Sequence, residues 1–227
     1  MFVELVRALV ALCIFSLSSG AGYKFHGTGS IAKRIIGGTP VLSSEYGFMS
    51  LVKIDRKDLG LFICGGTIIS DQYILTAAHC VTESKNPINA TQVAVGIGSD
   101  SLFGLKFYQA LQIYIHPQWD VSNLKNDVAL IRIQKIPYTK NVFPIDLATK
   151  HIGPNRYLYA LGYGRNSTAS SSGPSNLNFV RLISGSISKC TANRPDLVPS
   201  SLICTNNTRT PGADTCLGDS GGPLFIR

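Results

Sequence analysis

Three residues of the chain have the side-chain types that nucleophilic catalysis requires: His79, Asp127 and Ser220. A neutral serine hydroxyl is a poor nucleophile, so a base must take its proton as it attacks. Histidine suits that task because its side chain gains and loses a proton near neutral pH. A carboxylate on the other ring nitrogen would fix the tautomer and favour the imidazolium that forms. The three types together could therefore transfer an acyl group to a serine.

The local context of each residue carries further information. The segments read Thr76-Ala-Ala-His-Cys80, Asn126-Asp-Val-Ala-Leu130 and Gly218-Asp-Ser-Gly-Gly222. Taken singly they are weak signals, since a lone histidine is usually structural and an aspartate before a strand is usually a turn or cap. The Gly-x-Ser-x-Gly pattern also fits a lipase or esterase. In that class the histidine follows the serine, and no histidine lies after Ser220, so this interpretation is disfavoured.

The elements that must position these residues are short and rich in β-branched and aromatic residues. Only 15% of residues are charged, and twenty-two glycines and eleven prolines indicate many turns. In 129–133 every second side chain is apolar. Turn formers separate the apolar runs, as in a β-sandwich or barrel, so we predict an all-β fold. The predicted strands are Gly47–Ile54, Leu61–Ile69, Tyr73–Leu75, Val93–Ile97, Phe107–Ile115, Val128–Ile133, Tyr157–Leu161, Asn178–Ile183, Leu202–Cys204 and Pro223–Ile226.

The N-terminus has the pattern of a secretory signal. Arg7 precedes an apolar run, Ala8–Leu17, which is too short to span a bilayer and is followed by small residues. We therefore expect a signal peptide at 1–20, a secreted, extracellular protein and no membrane anchor. Three glycosylation sequons agree with export: Asn89-Ala-Thr91, Asn166-Ser-Thr168 and Asn206-Asn-Thr208.

The net charge of +8 does not by itself indicate nucleic-acid binding. Residues 1–34 hold four basic and one acidic side chain, so +3 belongs to them and +5 to the remainder. That remainder has no basic run and no alternation of basic and aromatic residues. A solvated surface explains the charge, and we expect no nucleic-acid partner.

In the order histidine, aspartate, serine, these segments resemble the trypsin/chymotrypsin family of serine proteases. The resemblance starts at Ile35-Ile-Gly-Gly38 and runs to the last residue. It implies two antiparallel six-stranded β-barrels, the second incomplete in this chain, with the active site in the cleft between them. The implied boundaries are 21–34 for an activation propeptide and 35–227 for the peptidase domain, divided into 35–136 (N-terminal barrel), 137–148 (crossing) and 149–227 (partial C-terminal barrel).

The resemblance assigns catalytic roles to the three residues. His79, Asp127 and Ser220 would form the triad of a serine endopeptidase that works through an acyl-enzyme. The backbone N–H groups of Gly218 and Ser220 would form the oxyanion hole. Glycine suits position 218, because a β-carbon there would crowd both the turn and the substrate.

Specificity and activation are implied in the same way. Asp214 would lie at the base of the primary specificity pocket and favour substrate Arg or Lys through a charge-assisted hydrogen bond. Cleavage between Arg34 and Ile35 would create an α-ammonium that pairs with the Asp219 carboxylate. We therefore expect a zymogen.

The cysteines are odd in number once Cys13 leaves with the signal. In an oxidising compartment an odd count indicates a free thiol, an intermolecular bridge or a missing partner. The resemblance implies the disulfides Cys64–Cys80 and Cys190–Cys204. It leaves Cys216 unpaired, because its partner would lie downstream of Ser220. We therefore expect the chain to be a C-terminally truncated form of such a protease.

The remaining expectations concern ligands and partners. The loop Gly-Ile-Gly-Ser-Asp100 lacks the glutamates that bind calcium in some relatives, and Leu158 and Ile226 stand where many relatives have a bridging cysteine pair. We expect no metal, no cofactor and a monomer, with protein or peptide substrates and protein protease inhibitors as partners. The alternative is a non-catalytic protease-like binding protein or decoy. The presence of both His79 and Ser220 argues against it.

Overall fold

The computed structural model describes residues 39–41, 44–57, 59–164, 176–188, 202–207 and 218–227. In these residues four short 3-10 helices cover Ser44–Tyr46, Ala78–Cys80, Ala90–Gln92 and Leu102–Gly104. The strands there are β1 (Thr39–Pro40), β2 (Met49–Arg56), β3 (Gly60–Ile68), β4 (Tyr73–Thr76), β5 (Thr82–Glu83), β6 (Asn86–Pro87), β7 (Val93–Ile97), β8 (Lys106–Gln109), β9 (Gln112–Ile115), β10 (Ala129–Arg132), β11 (Tyr157–Gly162), β12 (Asn178–Ser184), β13 (Thr205–Asn207) and β14 (Leu224–Phe225). The predicted all-β fold is confirmed.

The first half of the chain forms a seven-stranded antiparallel sheet that closes into a barrel. Its order is β8-β7-β2-β3-β4-β10-β9, and its two outer strands are consecutive in sequence. Ala110 and Leu111 connect these two strands in sequence. The amide of Ala110 donates to the Val93 carbonyl at 2.9 Å, and the amide of Leu111 donates to the Arg132 carbonyl at 2.8 Å. Adjacent residues thus bond to opposite edges of the sheet. The predicted strand Phe107–Ile115 is interrupted at 110–111 and forms β8 and β9, which lie at opposite edges of the sheet and close it into a barrel.

Alternation along the strands fills this barrel. Successive side chains of a strand point to opposite faces, so every second residue enters the interior. Val52 and Ile54 of β2, with Ile131 and Ile133 at β10, are at most 1% exposed and belong to one apolar cluster. Burying each such side chain stabilises the fold by roughly 1.5–3 kcal/mol.

The second half forms a five-stranded sheet in the described residues. Its order is β1-β12-β11-β14, with β13 also paired to β12. Strand β1 belongs to this sheet, with Thr39 opposite Phe179, although the sequence placed its residues in the first-barrel segment 35–136. A second apolar cluster joins residues of both halves, including Met49 of β2, Leu161 of β11 and Phe225 of β14.

The end of β12 corrects one strand prediction. Leu202–Cys204 was predicted as a strand, but the ladder begins at Thr205, which pairs with Ser184. Ser184 is the last residue of β12, so residues 202–204 lie beyond the end of that strand, where the Gly185 amide donates to the Cys204 carbonyl at 2.8 Å. A short apolar run therefore does not make a strand without a partner edge.

The strand that ends at Gly162 and the strand that follows Ser220 are neighbours. Strand β11 pairs with β14, with Tyr159 opposite Phe225. The same register carried one residue further places Leu158 opposite Ile226. These are the two apolar positions that the sequence singled out in place of a cysteine bridge.

Candidate active site

His79 projects from a short helical turn at the end of β4. The residues on either side of it, Ala78 and Cys80, are buried in the first barrel, whereas the His79 side chain is 33% exposed. The turn is closed by the amide of Val81, which donates to the Ala78 carbonyl at 3.0 Å. The buried flanks therefore fix the backbone while the imidazole faces outward.

Asp127 reaches His79 because β4 and β10 pair. Ala129 of β10 lies opposite Thr76 of β4 in an antiparallel pair. The residues just before β10 and just after β4 therefore lie at the same end of this strand pair. The Asp127 side chain is 1% exposed. Its Oδ1 accepts a hydrogen bond from the His79 amide at 2.8 Å, and its Oδ2 lies 2.6 Å from His79 Nδ1.

The backbone before Asp127 is held in an uncommon conformation. Asn126 has φ of 56°, in the left-handed region that asparagine tolerates better than most residues. Its side-chain amide donates to the Gln118 carbonyl at 2.9 Å. These features turn the chain just before it enters β10.

Ser220 is exposed on a tight turn that docks on the first barrel. The amide of Gly222 donates to the Asp219 carbonyl at 3.0 Å and closes the turn. The amide of Gly65 in β3 donates to the Ser220 carbonyl at 2.8 Å. A residue of the second half therefore hydrogen-bonds to the first barrel, and the candidate site lies where the two halves meet.

Glycines make this close approach possible. Gly221 has φ of +79°, and a β-carbon there would lie 2.3 Å from Thr76 Oγ1 and 2.8 Å from the Ala77 amide nitrogen. On the opposing strand, a β-carbon at Gly65 would lie 2.6 Å from the Cα atom of Gly222. Both positions require glycine on steric grounds. Gly65 was not among the residues predicted from the sequence, although a glycine pair inside a strand is a signal of close backbone approach.

Gly218 precedes the turn and also has a positive φ, +98°. A β-carbon at this position would lie 3.0 Å from the Gly164 Cα atom and 3.2 Å from the Ile63 side chain. The backbone conformation and the lack of room for a β-carbon therefore both favour glycine at this position.

Asp219 is buried beneath the Ser220 turn, with 6% exposure. Its Oδ1 accepts a hydrogen bond from the Gly164 amide at 2.8 Å. A β-carbon at Gly162 would lie 1.7 Å from Oδ1, and one at Gly164 would lie 2.4 Å from the same atom. The Gly-Tyr-Gly sequence at the end of β11 therefore makes room for this carboxylate, a role that sequence reasoning did not find.

The Cys64–Cys80 disulfide links the strand beneath Ser220 to the turn of His79. The Cys80 sulfur lies 3.6 Å from His79 Nε2 and 3.8 Å from the Ser220 carbonyl oxygen. One sulfur atom thus contacts both functional segments. Cys64, His79 and Cys80 have the spatial grouping of a metal site, but both sulfurs are oxidised and cannot act as thiolate ligands.

Other sequence-predicted residues lie outside the described part of the chain. These are Arg34, Ile35, Cys190, Asp214 and Cys216, together with the segments 1–20 and 21–34. Cys204 is described and is disulfide-bonded. Among the described residues, no helix has the length and apolar character needed to cross a membrane.

The first β-sheet carries an aspartate–histidine pair, and an exposed serine turn of the second half docks on it. This arrangement is that of the two-barrel serine proteases. The family model described as trypsin matches residues 35–227. The chain therefore belongs to the trypsin family.

Similar proteins agree with this assignment. Coagulation factor XI of Bos taurus is 31% identical over 208 residues, covering 88% of this chain and 32% of that protein. The CLIP domain-containing serine protease B4 of Anopheles gambiae is 32% identical over 219 residues, covering 86% of this chain and 59% of that protein. The chain thus spans between a third and three fifths of these relatives. The structure of neuropsin, a serine protease expressed in mouse brain, has a TM-score of 0.69 at 28% identity, covering 82% of this chain and 80% of that one.

Proposed function

We propose that the protein is a secreted serine endopeptidase that cleaves peptide bonds after Arg or Lys. The observation that carries the proposal is the double contact of the buried Asp127 carboxylate with His79. The same Cys80 sulfur lies 3.6 Å from His79 Nε2 and 3.8 Å from the carbonyl oxygen of the exposed Ser220. The protein's partners are protein or peptide substrates and protein protease inhibitors, and it acts as a monomer.

The proposed reaction has two stages. In the first, the Ser220 hydroxyl oxygen bonds to the substrate carbonyl carbon while its proton passes to His79 Nε2. Backbone N–H groups of Gly218 and Ser220 bind the oxyanion that forms. The C–N bond then breaks, and His79 returns the proton to the departing amine. In the second stage a water molecule gives a proton to His79 and its oxygen attacks the acyl carbon, which releases the acid and restores the Ser220 hydroxyl.

Asp127 supports both stages without moving a proton itself. Its Oδ2 faces Nδ1 at 2.6 Å, so the Nδ1 proton is held there and Nε2 is left as the base. When His79 becomes charged, the adjacent carboxylate stabilises the imidazolium. The carboxylate is buried, so water screens this attraction less than it would at the surface.

The specificity and activation parts of the proposal rest on the family pattern. Asp214 would bind the positive side chain of the substrate residue before the cleaved bond. The buried Asp219 carboxylate would receive the Ile35 ammonium after cleavage at Arg34, since a buried carboxylate is stabilised by a cation at short range. Export follows from the signal-like N-terminus.

The test uses a form whose activation is controlled. Residues 30–34 are replaced by Asp-Asp-Asp-Asp-Lys, so that enteropeptidase alone exposes Ile35. The protein is treated with diisopropyl fluorophosphate before and after processing, and labelled peptides are identified by mass spectrometry. We expect labelling of Ser220 and hydrolysis of an arginyl peptide amide only after processing.

The controls separate the possible explanations. The Ser220→Ala variant should give neither label nor hydrolysis. The chain with its original residues 30–34 should show neither label nor hydrolysis after treatment with enteropeptidase. A folded, fully processed protein that never labels at Ser220 would refute the endopeptidase and favour the non-catalytic binding protein or decoy.

A further inference from the structure

One of the three glycosylation sequons lies on an exposed turn of the first barrel, between β6 and β7. Asn89 and Thr91 are both exposed, and Asn89 caps the short helix Ala90–Gln92. The sequons at Asn166 and Asn206 lie wholly or partly outside the described residues. The surroundings of Asn89 can therefore be read in full.

The turn uses only one half of the Asn89 side chain. Its Oδ1 accepts hydrogen bonds from the Thr91 amide at 3.0 Å and from the Thr91 hydroxyl at 2.9 Å. Its Nδ2 donates no hydrogen bond to any described residue. A cap needs only the oxygen, so aspartate or serine would serve equally well at this position. The fold therefore does not account for the amide nitrogen of Asn89.

The backbone of this turn is held by contacts that leave Nδ2 free. Gln92 Oε1 accepts a hydrogen bond from the Asn89 amide at 3.2 Å, and Gln92 Nε2 donates to the Asp55 carbonyl at 3.1 Å. Gln109 Nε2 donates to the Ala90 carbonyl at 2.7 Å. These two glutamine side chains join the turn to β2 and β8. A group bonded to Asn89 Nδ2 would therefore replace none of the hydrogen bonds that hold the turn.

The residues around Asn89 meet the other requirements of an N-glycosylation acceptor. The sequon needs a hydroxyl residue two positions after the asparagine and any residue except proline between them, which Thr91 and Ala90 satisfy. It also needs a surface position in an exported chain. The exposure of Asn89 supplies the first condition, and the proposed export supplies the second.

We propose that Asn89 carries an N-linked oligosaccharide, bonded at Nδ2, while Oδ1 continues to cap the turn. The donor is an oligosaccharide joined to a lipid through a pyrophosphate. Nδ2 bonds to C1 of the first sugar as the bond between C1 and the pyrophosphate oxygen breaks. The proton lost from Nδ2 balances the charge of the lipid pyrophosphate that departs. The modification depends on the proposed export of the chain and not on its proposed catalysis.

The test expresses the full chain in cultured mammalian cells in two forms. One form keeps its own residues 1–20, and in the other a signal peptide from a protein that the cells export replaces them. Protein from cells and medium is treated with peptide N-glycosidase F in heavy-oxygen water, which converts a glycosylated asparagine into labelled aspartate. Mass spectrometry then locates the label, and a digest without the enzyme controls for spontaneous deamidation. We expect the label at Asn89 in both forms.

Three variants separate the sugar from the cap. Ala90→Pro keeps Asn89 and Thr91 but breaks the sequon. Proline suits the first helical position, and Asn89 already has the extended conformation that precedes proline, with φ of −63° and ψ of 131°. Asn89→Asp keeps a capping oxygen but has no amide nitrogen, whereas Thr91→Ser keeps the sequon. Intact mass spectrometry should show the loss of one oligosaccharide in Ala90→Pro and in Asn89→Asp, and its retention in Thr91→Ser.

The two forms distinguish this proposal from the proposed export. The modification is refuted if the form with the replaced signal peptide, from cells or medium, has no label at Asn89. It is also refuted if Ala90→Pro and Asn89→Asp both keep the oligosaccharide mass of the parent chain. A label at Asn89 in that form only, with the other form unlabelled and retained in the cells, would support the modification and refute export by the chain's own N-terminus.

Discussion

The Asp127 carboxylate binds His79 at two points, the backbone and the ring. Oδ1 accepts the hydrogen bond of the His79 amide at 2.8 Å, and Oδ2 lies 2.6 Å from Nδ1. The backbone contact positions the carboxylate, whereas the ring contact selects the tautomer. An amide in place of the carboxylate could still accept the hydrogen bond of the His79 backbone amide. It could not accept a second hydrogen bond from Nδ1, because its other group is an NH₂ donor.

This difference predicts the effect of Asp127→Asn. The asparagine oxygen can still accept from the backbone, which leaves its NH₂ group facing Nδ1. The ring must then accept at Nδ1 and carry its proton on Nε2, where it cannot act as base. We expect kcat for an arginyl peptide amide to fall about 10⁴-fold, the loss seen when the acid of a serine–histidine–acid triad becomes an amide, with KM little changed.

The control for this prediction is Asp146→Asn, which neutralises an exposed carboxylate away from His79. It should retain wild-type kcat. Near-UV circular dichroism should show that both variants are folded. A folded Asp127→Asn protein with more than about a tenth of wild-type kcat would contradict the tautomer argument.

Parts of this arrangement could be predicted from the sequence because their signals are local. His79, Asp127 and Ser220 each stand in a short distinctive segment, and alternation in 129–133 indicated the strand that follows Asp127. The 2.6 Å contact itself depends on the pairing of β4 with β10, which joins residues about fifty positions apart. From the sequence alone, only the resemblance to a known family indicated that His79 and Asp127 lie close together.

Other parts could not be predicted because their cause is a distant partner. Thr39–Pro40 joins the second sheet because its neighbour is Phe179, about 140 residues away. Likewise, the requirement for glycine at Gly221 arises from Thr76 Oγ1 across the interface. Periodicity along the chain contains no information about such contacts.

The Gly221 contact predicts a substitution effect on both stability and activity. Alanine would be strained at φ of +79° and would place its β-carbon 2.3 Å from Thr76 Oγ1. We expect Gly221→Ala to lower the free energy of unfolding by about 1–3 kcal/mol. Because the residue adjoins Ser220, kcat should fall as well. Urea unfolding and steady-state kinetics measure the two effects.

Two other glycines separate strain from crowding. Gly60 has φ of +88° but open space around it, so Gly60→Ala tests the backbone conformation alone, at about 1 kcal/mol. Gly153 has open space and no positive φ, so Gly153→Ala should stay within about 0.5 kcal/mol of wild type. Both should keep full kcat. Equal stability of all three variants would show that neither strain nor contact matters at Gly221.

The proposed specificity predicts the result of Asp214→Ser. Loss of a charge-assisted hydrogen bond of about 1.5–3 kcal/mol corresponds to a change of roughly 10–150-fold in preference. The ratio of kcat/KM for matched arginyl and phenylalanyl peptide amides should fall by that factor in the processed protein. The same ratio in Asp146→Asn serves as the reference. An unchanged ratio in Asp214→Ser would remove Asp214 from the specificity pocket.

Asp100 predicts a pH dependence of stability. Desolvation raises its pKa in the folded protein, so the folded state binds a proton more tightly than the unfolded state does. Between the unfolded and the raised folded pKa, stability therefore falls as pH rises, and the loss persists at neutral pH. Asp100→Asn removes this loss and should increase the free energy of unfolding more at pH 7 than at pH 3. Urea unfolding of Asp100→Asn and of the exposed-site control Asp146→Asn at both pH values measures the difference. An equal effect at the two pH values would mean that the ionised carboxylate carries no desolvation penalty in the folded protein.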